Sequence, residues 1–279
     1  MAGIFKPGYT ALITGGASGI GLALAKKCRA SGMKVLVADW NEESLASAPS
    51  ATGSGGSLET FKIDVGKLDE WTKLKTKVDE IFGGKINLLA LNAGVGRKTP
   101  WEDVSAFQYV LSTNLFGVIH GISTFLPASK AAAAEGKAAI VITGSKQGIT
   151  NPPGTSPAYN ASKAAVKSLA EQLAYDLRAG GPSVHLLVPG WTFTGLTKGA
   201  GGAKPAGAWW PEQVVDYLEK KMDEEKFYVI CPDNDVTEET DKKRMLWSVG
   251  DIIEGRPPLS RWREDWKDKA QEWMDKQKV

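Results

Sequence analysis

Seven short apolar runs, spaced through most of the chain by segments of helical periodicity, constrain the fold more than any other feature. They are TALIT (10–14), KVLVAD (34–39), LETFKIDV (58–65), INLLALNAG (86–94), AAIVITGS (138–145), SVHLLVPG (183–190) and FYVIC (227–231). Helical patterns lie at about 20–30, 69–82, 104–133 and 157–179, with one more before the last run. The stretch SAPSATGSGGS (47–57) reads as a Gly/Ser loop. Strands alternating with helices of this length build right-handed βαβ units, so the expected fold is α/β: a parallel sheet of about seven strands with helices on both faces. After Gly190 the rhythm breaks. Residues 195–211 are rich in Gly and Ala and are expected to form a lid, and 233–279 reads as a charged helical extension carrying Trp247, Trp262, Trp266 and Trp273. The expected division is therefore a body over 1–232 and the extension, packed on the body or on a neighbouring subunit.

Composition excludes several classes of function. The 34 basic and 32 acidic residues are scattered, giving a net charge of +2, so no basic face invites nucleic acid or an anionic membrane. Cys28 and Cys231 form no CxxC, and His120 and His185 are the only histidines, so neither a disulfide framework nor a metal site is expected. His185 in its apolar strand and His120 in its helix read as packing residues. No long apolar leader precedes the first strand, and a cytoplasmic location is the expectation.

The motif TGGASGIG (14–21) stands between the first strand and the first helix. Gly15, Gly19 and Gly21 can turn the chain tightly and bring backbone close to a diphosphate, with Ser18 and Ile20 among them at the helix N-terminus, where N–H groups and the positive dipole end favour phosphate. The alternative is a merely tight strand–helix turn. Asp39 ends the second strand about 20 residues on, where a carboxylate can bond ribose hydroxyls. Its charge would repel a 2′-phosphate, and its neighbours Ala38 and Trp40 are not basic, which favours NAD over NADP; the competing role for Asp39 is capping the next helix. Asp64 and Val65 end the third run and Asn92, Ala93 and Gly94 end the fourth, all at carboxyl ends of strands in a Rossmann-type doubly wound sheet, the edge where ligands bind. Asp64 is placed to meet an adenine amino group.

These pieces, together with Asn114, Ser145, YNASK (159–163) and Pro189-Gly190, stand in the order and at about the spacings of the short-chain dehydrogenase/reductase family, which the chain resembles over about residues 8–232. The TGxxxGxG form is similar to that of the ordinary single-domain subgroup. The resemblance implies an oxidoreductase with a nicotinamide cofactor, NAD by the Asp39 argument, and a homodimer or homotetramer assembled through the long helices.

Ser156 and Pro157 suit the start of a helix, which places Tyr159 in its first turn and Lys163 on the same face one turn later. Free tyrosine titrates near about 10. A lysine ammonium, a helix N-terminus and a bound positively charged nicotinamide ring each favour the phenolate, making Tyr159 usable as a general acid/base. Ser145 is expected to hydrogen-bond the same substrate oxygen. The resemblance implies a second task for Lys163, on the nicotinamide ribose, and for Asn114 the anchoring of a water that relays protons towards it. It further implies that Pro189, Gly190, Thr192 and Thr194 meet the cofactor's carboxamide and diphosphate. On the substrate side, Gln147, Ile149 and Asn151 are expected neighbours. Trp191, Trp209 and Trp210 either contact an apolar or aromatic alcohol or ketone or, like the tryptophans of the tail, serve packing. Two rivals stay open: an NADP-dependent carbonyl or imine reductase, and an NAD-binding sensor without turnover.

Overall fold

The computed structural model describes residues 3–197 and 202–279; the segment 198–201 of the expected lid lies outside them. All seven runs form strands, in one sheet: β1 (Thr10–Thr14), β2 (Lys34–Asp39), β3 (Leu58–Lys62), β4 (Leu88–Leu91), β5 (Ala139–Thr143), β6 (Ser183–Val188) and β7 (Tyr228–Ile230). Their spatial order is β3-β2-β1-β4-β5-β6-β7, every pair parallel. β1 pairs with β2 from Thr10↔Lys34 to Thr14↔Ala38 and with β4 from Ala11↔Leu88 to Thr14↔Leu91. The chain therefore leaves β1 in one direction and returns to its other side, which creates the crevice at the carboxyl edge where open α/β sheets take ligands. This is the expected Rossmann-type arrangement.

The helices are α1 (Gly19–Ala30), α2 (Glu42–Ala51), α3 (Leu68–Phe82), α4 (Val104–Leu111), α5 (Gly117–Glu135), α6 (Gln147–Thr150), α7 (Pro157–Leu177), α8 (Pro211–Asp223), α9 (Glu238–Ile253) and α10 (Lys267–Lys276). Side-chain alternation along β1 divides the core into two layers. Ala11 and Ile13 join a cluster with Leu24, Cys28, Val214 and Leu218 from α1 and α8; Leu12 joins one with Trp71, Leu74, Phe125 and Val166 from α3, α5 and α7. Helices thus cover both faces. The helical run Val104–Glu135 is apolar enough, at a mean hydropathy of 1.3, to match a membrane span by length and composition. Its Val118, Phe125 and Ala132 pack into the protein.

Three local expectations are corrected. β3 stops at Lys62, so Asp64 and Val65 lie on the loop beyond it; Ile63 and Val65 are apolar because they pack with Trp71 in the core layer, not because they pair. Residues 47–51 are helical rather than loop: Asn41 caps α2 by accepting from Ser44 N (2.8 Å), Glu42 and Glu43 suit its first turn, and Leu45 and Ala48 bury its inner face. The helix expected without a break over 104–133 is interrupted by a π-helical turn, Ser112–Phe116, with the buried Asn114 inside it. In the tail, Trp247 donates its indole N–H to Ser260 Oγ (2.7 Å) and meets Trp273 edge-on at 5.4 Å, while the Arg256 guanidinium stacks 3.7 Å from its ring.

Candidate active site

A cavity of about 1020 Å3 opens at the carboxyl edge of the sheet, against the ends of β1, β2, β4, β5 and β6. Of the site residues expected from the sequence, all but six line it. The six are Gly21, Asn114, Ile149, Asn151, Trp209 and Trp210.

The glycine loop forms one wall. Gly15 has φ +62°, and a Cβ there would stand 2.8 Å from Ala93 Cα; a Cβ on Gly21 would stand 2.1 Å from Gly15 O. Neither position has room for a side chain, and Gly15 holds a left-handed conformation that favours glycine. Ser18 is the N-cap residue of α1 but its hydroxyl makes no capping bond, so it faces the cavity beside the helix N-terminus. Asn92 ties the floor together: its Nδ2 donates to Thr14 O (3.3 Å) and Gly15 O (3.2 Å), and its Oδ1 accepts from Thr143 Oγ1 (3.1 Å). Asp39 is not the cap of α2. Its Oδ2 accepts from Ala17 N (3.1 Å) and its Oδ1 from Asn41 N (3.2 Å), which fixes the carboxylate at the cavity wall next to the glycine loop. Asp64 Oδ1 accepts from Gly66 N (3.0 Å).

The opposite wall carries Tyr159, Lys163 and Ser145. Ser156 caps α7 by accepting from Tyr159 N (3.3 Å). Thr99 then braces that start, bonding Ser156 Oγ (2.9 Å) and accepting from Ala158 N (3.2 Å). No sequence signal marked Thr99, a lone threonine 57 residues from its partner. Lys163 Nζ donates to Thr143 O (2.7 Å) and lies 5.8 Å from the centre of the Tyr159 ring. Burial holds the Lys163 ammonium down at about 8. Burial also pushes the Tyr159 phenol above its ordinary range, against a smaller downward pull from its hydrogen bond with Ser145. Desolvation therefore sets the direction at the phenol, and the expected lowering by the Lys163 ammonium is not among its causes.

A stability prediction follows from Lys163. Its folded value of about 8 lies below the unfolded value of about 10.4, so between these the unfolded chain binds more protons and stability rises with pH. Below about pH 8 the full cost, about 3 kcal/mol, is present. Lys163→Met is therefore expected to raise the Tm at pH 7 by several degrees, less whatever is lost with the Thr143 bond, the gain fading towards pH 10. Thermal melts at pH 7 and pH 10 check this; an unchanged or lower Tm at pH 7 would contradict it.

Asn114 sits behind the wall, fully buried, with Nδ2 donating to Val95 O (3.0 Å) and Ser162 Oγ (3.2 Å) and Oδ1 accepting from Val95 N (2.8 Å). It holds Gly94-Val95 against α7. Ile149 packs into the core layer and Asn151 accepts from Asn160 Nδ2 (2.9 Å); neither lines the cavity. Trp209 and Trp210 do not line the cavity. A parallel bridge joins Thr192 and Trp209, and Trp209 packs on the core against Tyr217, with ring centres 5.9 Å apart. Trp210 meets Phe193 edge-on at 5.6 Å. Of the three, only Trp191 reaches the cavity. His185 is satisfied by Lys226 O (2.7 Å) and Ser183 Oγ (2.9 Å). The sequence reading missed Trp40, Lys62, Lys67 and Tyr109 in the lining.

A nicotinamide dinucleotide fits this site. The volume is at the upper end of small-molecule sites, about 300–1,000 Å3. The glycine wall has the bare backbone and helix N-terminus that a diphosphate needs, and a fixed carboxylate stands one strand away.

Known proteins agree. The family model described as short chain dehydrogenase matches residues 9–204. An oxidoreductase of Sarocladium schorii, asL5, is 36% identical over 202 residues, which cover 70% of this chain and 76% of that one. A short chain dehydrogenase/reductase from Burkholderia phymatum, solved in complex with NAD, superposes with a TM-score of 0.80 at 30% identity, covering 91% of this chain and 97% of the other. RhlG of Pseudomonas aeruginosa, solved as an NADP active-site complex, gives a TM-score of 0.70 at 26% identity, covering 77% of this chain and 90% of that one. The chain belongs to the short-chain dehydrogenase/reductase family of oxidoreductases.

Proposed function

We propose that the protein is an NAD(H)-dependent oxidoreductase that interconverts a secondary alcohol and its ketone, with Tyr159 as general acid/base. The observation that carries this reading is the meeting of Tyr159, Ser145 and the buried Lys163 in one cavity with the glycine loop. When bound, the nicotinamide supplies or accepts the hydride. In the direction of reduction the Tyr159 hydroxyl donates its proton to the substrate oxygen, and in oxidation it takes the alcohol proton. Ser145 donates a hydrogen bond to the same oxygen and so fixes it within reach of Tyr159. Lys163 replenishes the proton and bonds the nicotinamide ribose, and Asn114, held by Val95 and Ser162, would anchor the water that connects Lys163 with solvent.

The preference for NAD rests on Asp39, whose charge opposes a 2′-phosphate. The NADP reading has support of its own in Lys62 and Lys67 in the lining. We favour NAD because Lys62 is already paired with Glu42 at 2.6 Å and Lys67 stands 3.7 Å from both Asp64 and Glu70. An apolar or aromatic substrate is supported by Val95, Tyr109, Trp191 and Leu196 around the outer cavity. Exposed Val104 and Phe116 along one helical run support a homodimer or homotetramer, and we keep the cytoplasmic setting expected from the sequence. The test is initial-rate comparison of NAD+ with NADP+ on 1-phenylethanol and aliphatic secondary alcohols. Turnover at least tenfold better with NAD+ is expected, and turnover only with NADP+ would remove the cofactor reading.

A pH profile is a further expectation. Lys163, held at about 8, is the first of the pair to release a proton as pH rises. Oxidation needs the proton acceptor, so its kcat/KM is expected to rise through about pH 8, while that of ketone reduction falls over the same range. A flat profile in both directions would take Lys163 out of the proton path.

A further inference from the structure

We infer that Lys146, Asp233 and Asp241 form a buried positioning cluster through which the chain's C-terminal segment orients the substrate side of the site. This rests on the alcohol–ketone reading for what the site does, though not for whether the cluster exists. Lys146 follows Ser145 directly and lines the cavity. Its ammonium stands 2.5 Å from Asp241 Oδ2 and 3.5 Å from Asp233 Oδ2, with only 17%, 5% and 6% of the three side chains exposed. Asp241 belongs to the first turn of α9 and Asp233 to the turn after β7, both beyond the 9–204 match. Asp233 Oδ2 also accepts from Trp191 N (2.9 Å), and its Oδ1 accepts from Val236 N (2.8 Å). The two cavity walls on the substrate side, Ser145–Gln147 and Trp191, therefore converge on a single group of charges.

Each end of the cluster is stiff. Lys146 O accepts from Ile149 N and Thr150 N, both at 3.0 Å, so the position of Lys146 sets that of α6; Gln147 N in turn donates to Ser145 Oγ (3.2 Å). A Cβ on Gly148 would stand 2.5 Å from Lys163 C, so α6 cannot shift towards α7. A Cβ on Gly190 would stand 2.7 Å from Asp233 Oδ2, so the 189–191 turn lies directly on that carboxylate. A buried ion pair adds little net stability, because desolvation offsets the attraction. What it supplies here is direction: the ammonium is held away from the substrate space and the backbone on either side is fixed with it. Lys146 and both aspartates are positioning residues; none contacts the reacting atoms.

The test is Asp241→Asn. Lys146 keeps Asp233 as counter-charge in this variant, so no buried charge is stranded. Ser260→Ala is the control, since it loosens the same C-terminal segment by removing the acceptor of the Trp247 indole and leaves the cluster untouched. Amide hydrogen exchange and kcat/KM for 1-phenylethanol with NAD+, normalised to NADH-binding sites by fluorescence titration, are measured in both. Asp241→Asn is expected to lose at least tenfold protection in 145–151 and 189–192 and about tenfold in kcat/KM, with the NADH Kd within twofold of wild type. Ser260→Ala should do neither. Wild-type protection and kcat/KM in Asp241→Asn, or the same uniform loss in both variants, would overturn the inference. Lack of wild-type turnover on 1-phenylethanol would instead count against the substrate reading, and exchange alone would then decide for or against the cluster.

Discussion

Tyr159→Phe is expected to lower kcat by about 10³-fold while NADH binds within about twofold of wild type, since a positioned acid/base contributes about 10²–10⁴. The change removes one hydroxyl and leaves the ring, which lies 5.8 Å from the Lys163 ammonium. Its backbone N–H still donates to Ser156 Oγ, so the start of α7 should not move. The loss therefore falls on proton transfer alone. Ser145→Ala should be milder, because it removes an orienting hydrogen bond and leaves the proton donor in place. Single-turnover rates with a saturating ketone, alongside fluorescence titration of NADH, separate chemistry from binding. Equal rates for Tyr159→Phe and wild type would assign the chemistry elsewhere.

The second large effect concerns cofactor choice. Asp39 is held by Ala17 N and Asn41 N, so its carboxylate cannot swing away from an incoming 2′-phosphate. Two unit charges at 4 Å interact by about 4 kcal/mol at an effective dielectric of about 20, near a thousandfold in binding. Asp39→Asn keeps the shape and one acceptor oxygen and removes the charge. The ratio of kcat/KM for NAD to that for NADP should fall by about 10²–10³. Stability should fall by about 1–3 kcal/mol, because one of the two backbone donors loses its acceptor. A ratio changed by less than threefold would mean that Asp39 serves the loop and not the selection of cofactor.

Most of the sheet was legible in the sequence because parallel strands covered on both faces read as unbroken apolar runs. The same simplicity misled at β3, where Ile63 and Val65 continue the run past the end of pairing to fill the layer around Trp71. α2 was hidden by its own composition. Ser47, Pro49 and Ser50 resemble a loop, and the helix is held by the Asn41 cap and by Leu45 and Ala48 against the core. The tryptophans show a different limit. Hydrophobicity says that Trp209 must be covered, but only the long-range bridge to Thr192 decides that the core, and not a substrate, covers it. Thr99 and the aspartates around Lys146 were invisible for the same reason: each meets its partner across more than fifty residues, and a lone Thr or Asp has no local pattern. The glycine loop and the Tyr159–Lys163 pair were legible because their geometry is local, a turn in one case and one helical turn in the other.

Hydride exchange with a carbonyl substrate, with the proton supplied by Tyr159, is checked by incubating the protein with NADH deuterated at the nicotinamide C4 and a panel of aryl and alkyl ketones, then analysing the alcohols by mass spectrometry. Deuterium on the carbinol carbon of at least one product, formed by wild type and reduced about a thousandfold in Tyr159→Phe, is the expected result. Tight NADH binding with no label in any alcohol would contradict the claim and leave a protein that binds the cofactor without using it.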